Sequence, residues 1–125
     1  MSKDRKEFIK IGLKEIRGQV KAVFFNEGDF VIYYIPSLNL SAYGKTYSEA
    51  EDMMKNAVLR DFCHNLISKP KAFVFSELAK LGWTRDKIFR KDLSKSSFID
   101  KEGILREFDL DKDTVINEKE FAITC

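Results

Sequence analysis

The chain has one histidine, two cysteines, two prolines and no apolar run long enough to span a membrane. Each shortage excludes something. A membrane helix needs about 20 consecutive apolar residues, and none occur together here. The opening MSKDRKEFIKIG has basic residues but no apolar block or cleavage site behind them, so it does not read as a secretory signal. Cys63 and Cys125 are too few for a disulfide framework. Cys63 lies inside a helical pattern and reads as a small core-facing apolar residue. Together these shortages point to a reducing cytoplasm. His64 stands beside Cys63, but adjacent helix positions point in different directions, so the two cannot form a catalytic pair. No Cys/His set fits zinc. Glu49, Glu51 and Asp52 fall in the first turn of an expected helix, where the helix dipole favours acids, and no carboxylate pair stands out as an acid–base couple. An enzyme, a cofactor and a metal site are therefore not expected.

What remains is the composition of one soluble globular domain over residues 1–125, with 44% hydrophobic and 34% charged side chains. Eleven phenylalanines in so short a chain call for a well-filled core or an interface. The net charge of +2 is unevenly placed: residues 1–21 are net basic, 22–68 net acidic, 69–95 net basic and 100–125 net acidic. A uniformly basic nucleic-acid binder has no such alternation. Opposite segments offset one another across the fold, and the acidic C-terminal segment is the surface suited to a basic partner.

The hydrophobic pattern gives an antiparallel hairpin first. Val20–Phe25 is rich in apolar and β-branched residues, Asn26–Asp29 has the chemistry of a tight turn, and Phe30–Ile35 (FVIYYI) is a second strand. The second strand is apolar on both faces, Phe30/Ile32/Tyr34 and Val31/Tyr33/Ile35, so both need cover. Pro36 ends or bends it. Leu38, Leu40 and Ala42 then alternate with Asn39, Ser41 and Tyr43, which gives a third strand with one wet face. Thr46 caps a helix, with Glu49 at capping-box spacing. Ala50, Met53, Met54, Ala57, Val58, Phe62 and Leu66 recur at helical spacing, so the helix runs from about Tyr47 to Ile67 and stops before Pro70. Met54 and Val58 are expected against the sheet, with the Met pair as core filler. Beyond it, Ala72–Leu81 is a short helix ending at Gly82, Trp83 is a hydrophobic anchor, and residues 84–97 read as a polar, basic loop. At least one strand closes the chain and includes Phe121 and Ile123.

Two stretches carry the look of a ligand site. Gly44-Lys45-Thr46 ends like a phosphate-binding loop, but the glycine required five residues earlier is Asn39. Gly44 is instead expected to permit the turn out of the third strand. Residues 109–120 (DLDKDTVINEKE) place Asp109, Asp111, Asp113 and Glu120 at positions 1, 3, 5 and 12 of an EF-hand calcium loop, with Ile116 at position 8. Thr114 stands where the loop needs glycine, and five residues after Glu120 are too few for an exit helix. Calcium binding is the alternative function, against an acidic turn between strands.

The order strand, turn, strand, Pro, strand, Gly-x-Thr, helix resembles the HicB-like antitoxin family. That family has an aromatic second strand, then Pro-Asp-Leu-Pro-Gly-Cys, a short strand, and Gly-Asp-Thr-x-Glu-Glu-Ala opening a long helix. Here YYIPSLNLSAYGKTYSEA matches at Pro36, Leu38, Gly44, Thr46, Glu49 and Ala50. Ser37, Lys45 and Ser48 replace acidic residues, and Asn39, Leu40 and Ser41 replace Pro-Gly-Cys. The resemblance covers residues 18–68, leaving 69–125 as a C-terminal extension. It implies an α+β fold in which a three-stranded antiparallel sheet packs on one long helix, a shortened ribonuclease H-like domain. The extension adds a short helix and at least one further strand. It also implies a bacterial, non-enzymatic protein that binds a partner protein, commonly a small RNA-cleaving toxin, and that assembles as a homo-oligomer. Many family members carry a C-terminal DNA-binding segment, but no helix-turn-helix or ribbon-helix-helix pattern follows residue 70, so DNA binding is not expected. Tyr34 and Tyr43 are the candidate partner-binding residues, being large, rigid and amphipathic. Either a partner covers the second apolar face, or the protein's own C-terminal half or a like subunit does.

Overall fold

The computed structural model describes residues 6–88, 92–96 and 100–125. The chain order is β1 (Lys6–Ile11), β2 (Ile16–Glu27), β3 (Phe30–Ile35), a 3₁₀ turn (Pro36–Leu38), β4 (Leu40–Gly44), α1 (Tyr47–Met53), a π turn (Met54–Val58), α2 (Leu59–Ile67), α3 (Lys71–Lys80), β5 (Thr84–Arg85), β6 (Asp92–Ser96), α4 (Lys101–Glu107) and β7 (Asn117–Thr124). The fold is α+β, and the sheet has seven strands rather than three.

The expected hairpin is present and longer than its apolar run. β2 extends to Glu27 and pairs with Phe30 across a two-residue turn, where Gly28 takes φ 59°, a conformation glycine adopts without steric cost. Pro36 ends β3 by opening a 3₁₀ turn, with Asn39 left-handed at its end, so β4 begins at Leu40 and not at Leu38. Thr46 caps α1 as expected: its hydroxyl accepts from the Glu49 amide at 3.1 Å. Gly44 has a different task from the one its sequence context suggests. It lies within β4, and a Cβ there would come within 2.6 Å of the Ala50 nitrogen and 2.8 Å of the Glu49 Cβ. The glycine lets the strand end against the helix backbone, and no left-handed turn is involved.

The helical run from Tyr47 to Ile67 has the expected extent but not the expected phase. Its buried residues are Ala50, Met54, Leu59, Cys63 and Leu66. The steps are four, five, four and three, and the step of five falls in the π turn, where the Leu59 amide donates to the Met54 carbonyl. A wider turn advances the buried stripe by one residue. Val58 is therefore only half-buried, Leu59 takes its place in the core, and Met53 is exposed. A uniform 3.6-residue period selects Val58 where Leu59 is buried, although Leu66 and Cys63 face the core as expected.

Both faces of β3 are covered. Tyr33 and Ile35 join Ile9, Ile11, Val20, Ala22, Phe121 and Ile123 in the main core, under α1, α2 and α3. Tyr34 joins Val23 and Phe25 on the other face, under Ile104 and Ile116, with Phe108 and Leu110 packed against them. The second face is thus closed by the chain's own C-terminal half.

Four elements stand where no regular structure was expected. β1 arises from the basic N-terminal segment and pairs with β2 and β6. β5 and β6 lie inside the stretch that reads as loop, and α4 occupies the stretch after Asp100, whose side chain caps it by accepting from the Gly103 amide. Near the end of the chain, β7 is the expected strand; it carries Phe121 and Ile123 inward and pairs antiparallel with β2 from Arg17–Thr124 to Phe24–Asn117. Cys63 does face the core, but it is not a free thiol: it is bonded to Cys125, with Cα atoms 6.2 Å apart. The expectation of two unpaired cysteines is overturned, and the argument from them to a reducing compartment falls with it.

Candidate functional site

β2 is a shared strand. One edge takes β7 along most of its length. The other takes β1 as far as Phe8–Gln19 and β3 from Tyr34–Val23 onward. Between these two neighbours, Val20 to Ala22 has no ladder partner on that edge among the described residues, and the sheet forks. A buried backbone amide cannot be left without an acceptor cheaply. Glu7 supplies one: its Oε2 accepts from the Lys21 amide at 2.8 Å and from the Ser37 hydroxyl at 2.7 Å. Glu7 and Ser37 are both buried, and the Trp83 indole N–H donates to the Ser37 carbonyl at 3.0 Å. Trp83 is therefore anchored by its polar edge as well as by its rings. A cleft of about 260 Å³ opens beside the fork, lined by Glu7, Tyr34, Ser37, Lys95, Asp100 and Glu107 among others. Its carboxylates come from β1 (Glu7) and from the two ends of α4 (Asp100 at the N-cap, Glu107 at the last turn).

A second polar cluster ties the long helix to β7. Glu51 Oε2 accepts from Tyr47 (2.6 Å), Tyr33 (3.2 Å) and the Lys119 ammonium (2.6 Å), and Lys55 stands 3.5 Å from Oε1. Burial pushes the Glu51 carboxyl up, but hydrogen bonds from Lys119 and Tyr47 and the charges of Lys119 and Lys55 outweigh it and hold the group at about 2. The Tyr33 phenol is pushed well above its ordinary range, first by burial and then by Tyr47 and Glu51. Lys119 is raised by its bonds to Glu51 and Tyr47. With Cys63–Cys125 farther along, the helix is fastened to β7 at two points.

The open edge of β4 is the third feature. β4 ends the strand order and pairs with β3. Tyr43 is opposite Ile32, so it shares the face of Phe30, Ile32 and Tyr34. Tyr43 is 64% exposed and Phe30 is 42% exposed, with ring centroids 5.7 Å apart in an edge-to-face pair. Phe108 covers Tyr34 on this face, and the Phe30–Tyr43 end stays open.

The two candidate tyrosines therefore part company. Tyr34 is buried beneath Phe108, its hydroxyl 3.5 Å from Glu107, and burial together with Glu107 raises its pKa. It packs inside the protein, and only a small part of it reaches the cleft beside the fork. Tyr43 is on the surface, and Phe30, which was read only as part of a strand face, is the residue it stacks against. Edge position is a property of topology, so no local pattern could have singled out this pair. Lys45 is exposed beside the Thr46 cap. The twelve-residue calcium-loop spacing is not contained in one loop: residues 108–116 are turn and irregular, with Asp109 at φ 53°, but Asn117–Thr124 is strand, and Glu120, opposite Lys21, accepts from Gln19 at 2.6 Å. Among the described residues no three acidic, cysteine or histidine side chains are grouped to hold a metal ion. His64 is exposed, and its carbonyl accepts from the Ser68 amide. Among the described residues no helix is long and apolar enough to cross a membrane.

No protein-family model, curated protein or solved structure matches the chain.

Proposed function

We propose that the protein is a non-enzymatic protein-binding module of the HicB-like antitoxin type, which holds a partner protein along the open edge of β4. The observation that carries the reading is the exposed Phe30–Tyr43 pair beside an edge of β4 that no described strand pairs with. An open edge offers main-chain hydrogen bonds to an added strand, and rigid aromatic side chains are the residues that most often anchor an interface. The strand, Pro, strand, Gly-x-Thr, helix order supports the family resemblance, since β2, β3, β4 and the long helix follow one another as in that pattern. A structural use for Glu7, the most buried carboxylate among the described residues, supports a binding role over a catalytic one. The partner is a small RNA-cleaving toxin, and the free protein assembles with copies of itself.

Co-expression with the product of any small, basic open reading frame that adjoins its gene, followed by affinity capture, tests the reading. Tyr43→Ala and Phe30→Ala should each weaken association by more than about 1 kcal/mol while leaving the melting temperature nearly unchanged. Undiminished capture by a folded double variant would remove the β4 edge as the binding surface. Sedimentation of the free protein separates a like subunit on that edge from a different partner.

A further inference from the structure

A second cleft, of about 240 Å³, lies between the β1–β2 turn and the α2–α3 turn, far in sequence from the β4 edge. Its interior is apolar: Ile11, Ile16, Leu66 and Val74 line it and are buried. At its rim, Leu13 is 79% exposed and Ile67 is 36% exposed, so large aliphatic side chains stand in water around an apolar opening. The charged side chains among its lining residues are Lys69 and Lys71, on either side of Pro70, and no carboxylate lines it. The Lys69 ammonium is 5.6 Å from the Phe73 ring, and that ring too is exposed. α3 is ten residues long and starts at this point without a side-chain cap, so its first turn adds positive potential of the same sign as the lysines.

We infer that this cleft binds a straight-chain monocarboxylate, a fatty-acid anion of medium length. The acyl chain lies along Ile11, Ile16, Leu66 and Val74, and the carboxylate pairs with Lys69 and Lys71. The charge of the rim chooses the head group: an apolar slot edged by two cations and no acid favours a single anionic head over a neutral or cationic one. Its size chooses the tail: the volume falls short of the roughly 300–1,000 Å³ of drug-sized ligand sites, which suits an unbranched chain and not a ring system or a two-chain lipid. A bound chain would cover Leu13 and Ile67, whose exposure the fold itself does not require. This site is independent of the proposed β4 interface.

Titration of the isotope-labelled protein with sodium octanoate, followed by amide chemical shifts, tests the inference. Saturable shifts should be confined to residues 11–16 and 66–74. Affinity should rise roughly tenfold from hexanoate to octanoate, because each buried methylene contributes a factor of about three to four. n-Octanol should bind at least fivefold more weakly than octanoate, and Lys69→Gln with Lys71→Gln should remove most of that difference. The dispersion of the variant's spectrum shows whether it is folded. Absence of saturable shifts at millimolar octanoate would overturn the inference, and so would shifts spread outside the cleft or octanol binding as tightly as octanoate. Persistence of the octanoate preference in a folded double variant would overturn the assignment of the head group to the two lysines.

Discussion

Removal of the Glu7 carboxylate puts the fork of the sheet to the test. In Glu7→Ala the Lys21 amide and the Ser37 hydroxyl both lose their acceptor at a point where β2 has no strand to replace it. A buried donor left unsatisfied costs about 1–3 kcal/mol. Two such donors, offset by no longer burying a carboxylate, give an expected loss of roughly 2–4 kcal/mol. Glu7→Gln keeps a carbonyl oxygen in the same place and should cost only about 1 kcal/mol, since hydrogen bonds to a charged acceptor are roughly twice as strong as neutral ones. Ser37→Ala removes one donor and leaves the acceptor occupied by Lys21, so its cost should also be about 1 kcal/mol. In combination with Glu7→Ala it should be less than additive. Trp83 is the only tryptophan, and its indole donates to the Ser37 carbonyl, so urea unfolding followed by its fluorescence reports on this junction directly. Amide exchange at Lys21 supplies a residue-level readout. Should Glu7→Ala unfold within about 0.5 kcal/mol of the parent while the Lys21 amide stays protected, the carboxylate does not hold the fork together.

Three further outcomes follow from the helix and its fastenings. Glu51 titrates at about 2 in the folded protein against 4.5 ordinarily, so its contribution is complete above pH 4.5 and lost as the pH falls toward 2. Discounted for solvent at the half-exposed Lys119 end, that contribution is roughly 1–3 kcal/mol, and Glu51→Gln should flatten this part of the stability–pH curve. Reduction of Cys63–Cys125 opens a loop with a sequence separation of 62, for which the chain-entropy model gives about 4 kcal/mol; urea midpoints with and without dithiothreitol should differ by roughly 2–4 kcal/mol. Leu59→Ala should cost roughly 2–4 kcal/mol and Met53→Ala under about 0.5 kcal/mol, and equal losses by calorimetry would contradict the π-turn phase.

The hairpin, the Thr46 cap, the extent of the long helix, the Trp83 anchor and the strand at Phe121 and Ile123 were legible because each rests on neighbours in sequence. The features that decide what the surface offers were not. β1 is made of KEFIKI, a segment whose lysines masked its alternation until pairing with β2 and β6 gave it a place. The shift from Val58 to Leu59 depends on how the helix seats against the sheet, which no fixed period encodes. Tyr34 and Tyr43 look equivalent in sequence, and one is buried only because Phe108, more than 70 residues later, folds over it. Cys63 and Cys125 meet because α2 packs beside the end of β7, a proximity their count could not suggest.

Because β2 serves three neighbours, the order in which the chain is synthesised matters. The hairpins that join β1 to β2, β2 to β3 and β3 to β4 are local and can close as soon as Gly44 has been made. The slot for β7 cannot: Arg17 waits for Thr124, a partner made more than a hundred residues later. Closing so long a loop is slow, and for that interval one edge of the central strand is an open template. A nascent chain paused before Asn117 should therefore be bound by chaperones that recognise extended apolar segments, and release should follow once β7 has been made.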